Sequence, residues 1–285
     1  MDTSASDHAT AAPKRNPVLL VTGSGGRLGR EITSDGRAAR RLRDAWTVVP
    51  ARTGDGDVRD AEAVRALVAR HRPAAILHAA AYTDVAGAER ERLEAWSTNV
   101  AGTRHVAHAA NDVGAVLIHV SSDYVFWGGD DRPGGGYRES DPPGPVRNYY
   151  ALTKLAAEEA ARSAERRLIV RTSFRESVWP HPAAFTDLFT SQDYVDVIAF
   201  QLTQLLANLS DALARLDATY GASSRVLHLA TERKSVFDLA RRRNPEVQPG
   251  LRADVSVPLP EDISLNVERW TALRAKITNT AREDT

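Results

Sequence analysis

The chain has 285 residues, and its 37 Lys and Arg are balanced by 37 Asp and Glu, so the formal net charge is zero. This balance provides no basic field for nucleic acid or an acidic membrane surface, and no apolar run reaches membrane-spanning length. The lack of cysteine excludes disulfides, thiolate metal sites and thiol nucleophiles, and it fits a reducing compartment such as the cytoplasm. We expect no metal site, and the small, polar residues 1–16 predict a disordered leader rather than a signal peptide.

Short apolar runs alternate with helical patterns along most of the chain. In chain order, we predict strands at 18–21, 47–50, 75–78, 116–120, 168–170 and 226–229, and helices at 28–39, 60–71, 89–114, 150–162, 193–218 and 235–242. This alternation is typical of βαβ units and predicts an α/β fold with a Rossmann-like, doubly wound parallel sheet. The regular alternation of strand and helix patterns ends after Arg171. We therefore predict a dinucleotide-binding domain at 17–171 and a small substrate lobe at 172–285, and leave open a return of 226–230 to the sheet.

A glycine-rich segment follows the first predicted strand and opens the first predicted helix. Gly23 suits a tight turn, Gly26 lets the backbone approach a pyrophosphate, and Gly29 lets the helix pack closely on the sheet. The unpaired N–H groups at the helix N-terminus favour an anion at the same place. The segment therefore predicts a dinucleotide site that comprises Gly23, Gly25, Gly26, Arg27, Leu28 and Gly29.

Arginines near this segment bear on the choice between the two nicotinamide cofactors. An acidic residue after the second strand would bind a ribose 2′-hydroxyl, whereas an arginine suits a 2′-phosphate. Arg52 follows the second predicted strand, and Arg27 lies within the glycine segment. We therefore expect NADPH as the cofactor, with NADH as the alternative.

Tyr150 and Lys154 lie four positions apart at the start of a predicted helix, so they share one face of it. A lysine ammonium near a phenol stabilises the phenolate and is expected to lower the tyrosine pKa. Such a pair can exchange protons in carbonyl–alcohol chemistry. Tyrosine and lysine at this spacing also occur by chance on solvated helices, so the pair alone does not assign a function.

Several motifs in a fixed order make the chain resemble the extended short-chain dehydrogenase/reductases, and more narrowly the dTDP-4-dehydrorhamnose reductase family. They are the glycine segment, residues 79–85 with Glu89, residues 121–126, residues 148–154 and residues 171–174. The resemblance covers residues 17–175 well and later segments in part. Phe174 stands where a tryptophan is expected, and residues 176–195 depart from the family pattern, which leaves the identity of the sugar open.

The resemblance implies a role for individual residues. Ser122 would bind the substrate carbonyl, Tyr150 would protonate its oxygen, and Lys154 would bind the nicotinamide ribose. Beside Tyr150 and Lys154, the implied cofactor groove includes Asp57 and Val58 near the adenine and also Ala79, Ala80, Ala81 and Asn99. The implied substrate contacts are Thr83, Val85, Ser122, Asp123, Tyr124 and Phe174.

The strand-end run Ser122-Asp123-Tyr124 distinguishes between reactions of related enzymes. Dehydratases that resemble this fold have a glutamate in place of Tyr124, and without that carboxylate an elimination lacks its base. We therefore expect an NADPH-dependent reductase of a keto group on a nucleotide-activated deoxysugar. A non-catalytic dinucleotide-binding regulatory subunit and an NAD-dependent sugar-nucleotide epimerase remain alternatives. The expected partner is the nucleotide sugar, with no nucleic acid or membrane, and a homodimer is left open.

Overall fold

The computed structural model describes residues 16–128, 136–255 and 259–283, so the predicted leader lies outside the described residues except for Asn16. The strands are β1 Val18–Thr22, β2 Thr47–Ala51, β3 Ala75–His78, β4 Val116–Ser122, β5 Arg167–Thr172, β6 Phe174–Arg175, β7 Ala183–Phe185, β8 Phe189–Thr190, β9 Asp193–Tyr194, β10 Val226–His228, β11 Lys234–Ser235 and β12 Gln248–Gly250. The α-helices are α1 Arg27–Thr33, α2 Arg37–Ala45, α3 Ala61–His71, α4 Val85–Arg90, α5 Arg92–Trp96, α6 Gly102–Val113, α7 Tyr149–Ala161, α8 Val195–Ala207, α9 Leu209–Tyr220, α10 Val236–Arg241 and α11 Glu268–Glu283.

A six-stranded sheet forms the centre of the protein, with the strand order β10-β5-β4-β3-β1-β2. Every neighbouring pair in it is parallel. The strand order reverses between β1 and β3, and open sheets of this kind bind ligands in the crevice at such a point, beyond the carboxyl ends of the strands. The predicted α/β class with a doubly wound parallel sheet is therefore confirmed.

The two faces of the sheet carry separate hydrophobic clusters because successive side chains of a strand point to opposite sides. Leu19 and Val21 of β1 pack with residues of α1, α2, α8, α9 and α11. Leu20 packs on the other face with residues of α3 and α6. Both faces are covered by helices, which explains why the strands read as continuous apolar runs in the sequence.

Two predicted helices, at 28–39 and 89–114, are interrupted in the structure. The first ends at Thr33, and Gly36 is the N-terminal cap of a separate helix α2. The second breaks at Glu91 and contains a π-helical turn, Ser97–Ala101, between α5 and α6. Such turns frequently occur at functional sites, and this one contains Asn99, a predicted site residue.

The predicted long helix at 193–218 is wrong, because this segment consists of β9, α8 and α9. The α8 and α9 axes differ in direction by 83°. The carbonyl of Leu206 accepts a hydrogen bond of 2.8 Å from the indole of Trp46, near the C-terminus of α8. Among the described residues, no single helix is long and apolar enough to cross a membrane, although α8 and α9 together meet that criterion as a bent pair.

Residues after Arg171 are divided between the sheet layers and a smaller unit. Strand β10 pairs with β5, so this part of the chain does return to the sheet. The smaller unit includes the pairs β7–β12 and β8–β11 and has its own hydrophobic cluster, which contains Trp179, Leu188 and Val236. We call this unit the lobe; the division of the chain into domains at residue 171 stays a prediction.

Replacing Gly29 by alanine should lower the free energy of unfolding by about 1–3 kcal/mol, because the new methyl group overpacks the glycine segment. A Cβ at Gly29 would lie 2.3 Å from the Gly23 carbonyl oxygen and 2.6 Å from the Ser24 Cα, and backbone atoms cannot move aside cheaply. Gly54→Ala is the matched control, because a Cβ there meets nothing within 4 Å. Chemical denaturation of both variants would measure the difference, and equal stability would contradict the close approach.

Candidate functional site

Ser122, Tyr150 and Lys154 meet where β4 ends and α7 begins. The side chain of Asn148 caps α7 by accepting a hydrogen bond of 2.8 Å from the Ala151 N–H, which places Tyr150 in the first turn. Lys154 Nζ donates a hydrogen bond of 2.8 Å to the Val120 carbonyl in β4. A side-chain hydrogen bond between Ser122 and Tyr150 lowers the pKa of Tyr150. The structure thus brings the three predicted catalytic residues together.

The electrostatic environment of Tyr150 differs from the expectation. Burial raises the pKa of Tyr150 above its ordinary value, and the nearby carboxyl of Asp123 raises the pKa further, while the Ser122 side chain lowers it. Lys154 is not among the groups that shift this pKa, and its ammonium donates a hydrogen bond to the Val120 carbonyl. The predicted lowering of the Tyr150 pKa by Lys154 is therefore wrong in this structure, where the phenol is held protonated.

Lys154 and Asp123 are buried ionisable groups beside Tyr150. Burial lowers the pKa of Lys154 to about 8, and the carboxylate of Glu158 acts in the opposite direction. Burial raises the pKa of Asp123 to about 6, although hydrogen bonds from the side chains of Ser173 and Ser122 favour its charged form. The Ser122 hydroxyl donates to Asp123 Oδ1 over 3.0 Å. Titratable groups with displaced pKa values thus cluster at this edge of the sheet, as they do at many active sites.

A buried ion pair lies behind the catalytic candidates. Arg171 of β5 binds both carboxylate oxygens of Glu158 in α7, each over 2.9 Å. Ser121 of β4 donates to the same carboxylate over 2.6 Å. Only 2% of the arginine side chain and 1% of the glutamate side chain are exposed, so the pair is fully desolvated. This contact joins α7 to the two strands whose ends form the site.

The glycine segment has the features that a dinucleotide requires. The N-terminal cap of α1, Gly26, has no side chain to occupy the free N–H groups. The hydroxyl of Ser24 is buried and has no hydrogen-bond partner among the described residues. A Cβ at Gly23 would lie 2.5 Å from the Ala80 N, so the segment after β1 touches the segment after β3. A pyrophosphate placed there would find unpaired donors on a backbone that side chains do not obstruct.

Charged residues around this segment take different positions. Arg27 forms an exposed ion pair of 2.7 Å with Glu176. The Cγ atom of Arg52 lies 3.9 Å from where a Cβ of Gly25 would be, so this side chain borders the glycine segment. The carboxylate of Asp57 binds Arg59 over 2.6 Å, which lowers the pKa of Asp57. The other predicted cofactor residues here, Leu28 and Val58, are buried.

The segment after β3 is held in place by Asn99. The amide of Asn99 accepts from the Tyr82 N–H over 2.8 Å and donates to the Tyr82 carbonyl over 3.1 Å and to the Thr153 hydroxyl in α7 over 2.8 Å. Its side chain thus links the partly buried residues Ala79, Ala80 and Ala81 to the helix that carries Tyr150. Thr83 is exposed, and Val85 packs beside the cluster that contains Tyr150.

A cavity of about 470 Å³ lies between the end of β4 and the lobe. Asp123 and Tyr124 line it, and the Tyr124 ring meets the Tyr150 ring edge-on with centroids 5.6 Å apart. The other predicted substrate residues, Thr83, Val85, Ser122 and Phe174, are not among the residues that line it. Phe174 packs against the hydrophobic cluster of the sheet instead. The apolar walls include Trp179, Phe185, Leu188, Val236, Leu259 and Ile263.

Sequence reasoning missed Arg175 and Gln192, which also line the cavity. Arg175 directly follows Phe174 in β6, and Gln192 immediately precedes β9, which pairs with β6. The one sequence signal for Arg175 was its position directly after residues 171–174, one of the segments that carry the family resemblance. No signal pointed to Gln192, because its role depends on the pairing of two very short strands.

The family model and the sequence relatives show the family of this chain. The family described as RmlD substrate binding domain matches residues 17–255. The dTDP-4-dehydrorhamnose reductase of Mycobacterium tuberculosis is 33% identical over 281 residues, which cover 90% of this chain and 87% of that protein. The enzyme of the same name from Streptomyces griseus is 40% identical over 215 residues, which cover 73% of this chain and 67% of that protein.

Solved structures show the same fold. The dTDP-4-dehydrorhamnose reductase of Bacillus anthracis, solved in complex with NADP, superposes with a TM-score of 0.73 at 24% identity and covers 94% of this chain and 99% of its own. The enzyme of the same name from Yersinia enterocolitica gives a TM-score of 0.68 at 25% identity with the same coverage of both chains. The similarity therefore extends over the sheet and the lobe together.

Proposed function

The chain belongs to the dTDP-4-dehydrorhamnose reductase family, and from this premise we propose that it reduces a keto group of a nucleotide-activated deoxysugar with NADPH. The observation that carries the proposal is the meeting of Ser122, Tyr150 and Lys154 at the carboxyl edge of the sheet. Ser122 and Tyr150 contact Asp123 and Tyr124, which line the cavity. The glycine segment opens at the same edge. A hydride donor and a carbonyl can therefore be bound next to one proton-donating phenol.

The proposed mechanism uses each residue for a separate task. When bound, NADPH would supply the hydride for the carbonyl carbon. Negative charge then develops on the carbonyl oxygen, to which the Tyr150 hydroxyl would donate a hydrogen bond, as would the Ser122 hydroxyl once it turns from Asp123. Tyr150 transfers its proton to that oxygen, and the raised pKa of Tyr150 ensures that the proton is present before the reaction. Lys154, on the same face of α7 as Tyr150, would bind the ribose of the cofactor and orient it.

The proposed cofactor site combines the glycine segment with the residues around it. Gly23, Gly25, Gly26, Leu28 and Gly29 form the surface for the pyrophosphate. Asp57 and Val58 would lie beside the adenine, and Ala79, Ala80, Ala81 and Asn99 would border the nicotinamide side. Arg52 binds the 2′-phosphate, because its side chain borders the glycine segment and makes no ion pair among the described residues. Arg27 is less suited to that task, since it already pairs with Glu176.

Replacing Arg52 by glutamine should raise the Kd for NADPH about 10- to 100-fold and leave the Kd for NADH almost unchanged, because one charge-assisted contact to the 2′-phosphate is lost. Fluorescence titration with both cofactors measures this difference. Arg65→Gln is the matched control, since Arg65 lies on α3 in a weak surface ion pair of 3.8 Å with Asp112. Equal losses of NADPH and NADH affinity in the Arg52 variant would contradict the assignment.

The direct test of the proposed function is NADPH oxidation by the purified protein with a panel of nucleotide 4-keto-6-deoxysugars. Turnover on at least one of them is expected. Stoichiometric co-purification with a partner enzyme and no oxidation on any sugar would instead favour a regulatory subunit. Release of tightly bound NAD on denaturation would favour an epimerase.

Assembly and location are further parts of the proposal. We expect a cytoplasmic protein, and light scattering of the purified chain would decide whether it is a homodimer. The sugar-nucleotide site lies within one chain as proposed, so activity should not depend on protein concentration in the assay. A loss of specific activity on dilution would indicate that the assembly contributes to the site.

A further inference from the structure

The cavity beside Tyr150 contains very little positive charge. Arg175 is the one arginine or lysine among the described residues that line it, and the lining carboxyls are those of Asp123 and Asp254. Most of the remaining wall is apolar. A nucleotide sugar nevertheless carries a diphosphate with negative charge that must be stabilised in such a pocket. If a sugar nucleotide enters this cavity, its phosphates have Arg175 as their only strong cationic partner there.

The guanidinium of Arg175 is held in place by two neighbouring side chains, but most of its N–H donors make no hydrogen bond among the described residues. Its Nε atom donates to Oε1 of Gln192, and its Cζ atom lies 4.9 Å from the centre of the Trp179 ring. An arginine has five N–H donors, and within the described part of the chain the terminal nitrogens of Arg175 donate to no acceptor. The side chain is thus oriented by two neighbours and keeps the donor pair that fits a phosphate.

No carboxylate neutralises Arg175 at close range. Within residues 16–128, 136–255 and 259–283, no acidic group lies within 4.0 Å of its guanidinium nitrogens. Burial lowers the pKa of Arg175, while Tyr124, Asp123 and Tyr194 act on it only at longer range. Two other arginines of the lobe differ, since Arg233 and Arg252 each pair with a carboxylate. A partly buried cation without a paired carboxylate indicates that an anion completes the site.

We propose that Arg175 binds the diphosphate of the sugar nucleotide through its two terminal nitrogens. The inference rests on the proposed function and adds to it the residue that selects a nucleoside diphosphate sugar over a neutral sugar. Gln192 contributes to the same contact by fixing Nε, and its own amide is fixed by a hydrogen bond of 2.8 Å to the Ser173 hydroxyl. Trp179 and the apolar wall remain available for the nucleoside.

A purely structural role would give a different experimental pattern. In that case Arg175 would serve to join Gln192 and Trp179, and its replacement would destabilise the lobe and weaken every ligand alike. In the binding role, its replacement weakens ligands in proportion to their phosphate charge and leaves NADPH binding unaffected. Comparing a charged ligand with a neutral one therefore separates the two roles.

The experiment is a calorimetric titration of the full-length protein with thymidine diphosphate and with thymidine, the nucleoside in the names of the relatives. The wild type should bind thymidine diphosphate more tightly than thymidine. Arg175→Gln should weaken thymidine diphosphate binding about 10- to 100-fold and leave thymidine binding within about threefold. Arg175→Lys should bind thymidine diphosphate more tightly than Arg175→Gln but less tightly than the wild type. Lysine keeps the positive charge but cannot form the bidentate contact of the guanidinium. Arg241→Gln, an exposed position in α10, is the matched control.

Kinetics provide the second readout. With a turned-over keto-sugar, Arg175→Gln should raise the KM for the sugar nucleotide by about the same factor, with little change in kcat or in the KM for NADPH. An unchanged preference for thymidine diphosphate in Arg175→Gln would overturn the proposal, as would equal weakening of both ligands with a lowered Tm. If the wild type oxidises no NADPH on any keto-sugar, the proposed function fails, while the titration still decides the role of Arg175.

Discussion

Tyr150→Phe should lower kcat for keto-sugar reduction about 10²- to 10⁴-fold, because the variant cannot transfer a proton to the carbonyl oxygen. The aromatic ring stays in place, so the packing against Tyr124 should persist. The Kd for NADPH should remain within about threefold, since the glycine segment is untouched. Stopped-flow measurement of NADPH oxidation at saturating substrate would isolate this step from binding.

Tyr149→Phe is the matched control for that experiment. Tyr149 is the adjacent residue in α7, and its ring packs beneath the guanidinium of Arg92, 5.0 Å from the ring centre. This variant also loses a phenolic hydroxyl, but from a face of the helix that points away from Lys154. Near-normal turnover is expected for this variant. If Tyr150→Phe also retained near-normal turnover, the proposed proton donor would be wrong.

Glu158→Ala should lower the free energy of unfolding by about 3–5 kcal/mol, because Arg171 would remain charged and buried without its partner. The loss includes the hydrogen bond from Ser121 to the same carboxylate. Since this carboxylate joins α7 to β4 and β5, the variant should also lower kcat by displacing Tyr150 and Lys154 from Ser122. Chemical denaturation measures the first effect, and NADPH oxidation in the folded fraction measures the second.

The neighbouring residue Glu159 offers a control of the same chemistry. Glu159 pairs with Arg162 over 3.0 Å, but 68% of its side chain is exposed. Solvent screens such a pair, so Glu159→Ala should cost less than about 1 kcal/mol. Similar losses in the two variants would mean that burial of the Glu158–Arg171 pair is not the cause of its contribution.

Local patterns account for the parts of the fold that the sequence predicted well. Each of the six strands in the sheet was recognised as a short, mostly apolar run, because helices cover both faces of the sheet. The breaks within helices were not recognised. The bend between α8 and α9 lies beside a hydrogen bond from Trp46, a residue 160 positions away from Leu206 in the chain. No short segment of the sequence contains both Trp46 and Leu206, so a local pattern could not predict the bend.

The candidate site divides in the same way. Tyr150 and Lys154 were singled out because one helical turn determines their spacing, whereas Ser122 was implied by the family resemblance. The direction of the Tyr150 pKa was not found, since it depends on burial and on Asp123 rather than on Lys154. Phe174 was expected to contact substrate, whereas the structure packs it on the sheet and places the next residue, Arg175, at the cavity.

The sequence by itself therefore determined the α/β class, the glycine segment and the pair of Tyr150 with Lys154, because each is a pattern within one or two turns or strands. Only the tertiary structure decided which side chains line the cavity, which ionisable groups are desolvated and which cation at the cavity has no paired carboxylate among the described residues. These properties depend on neighbours from distant segments, as with Arg175, whose environment is made by β4, the residues before β9 and the lobe. Tertiary packing determines which groups are buried and which charges are paired, and the spacing of residues within a short segment does not reveal that packing.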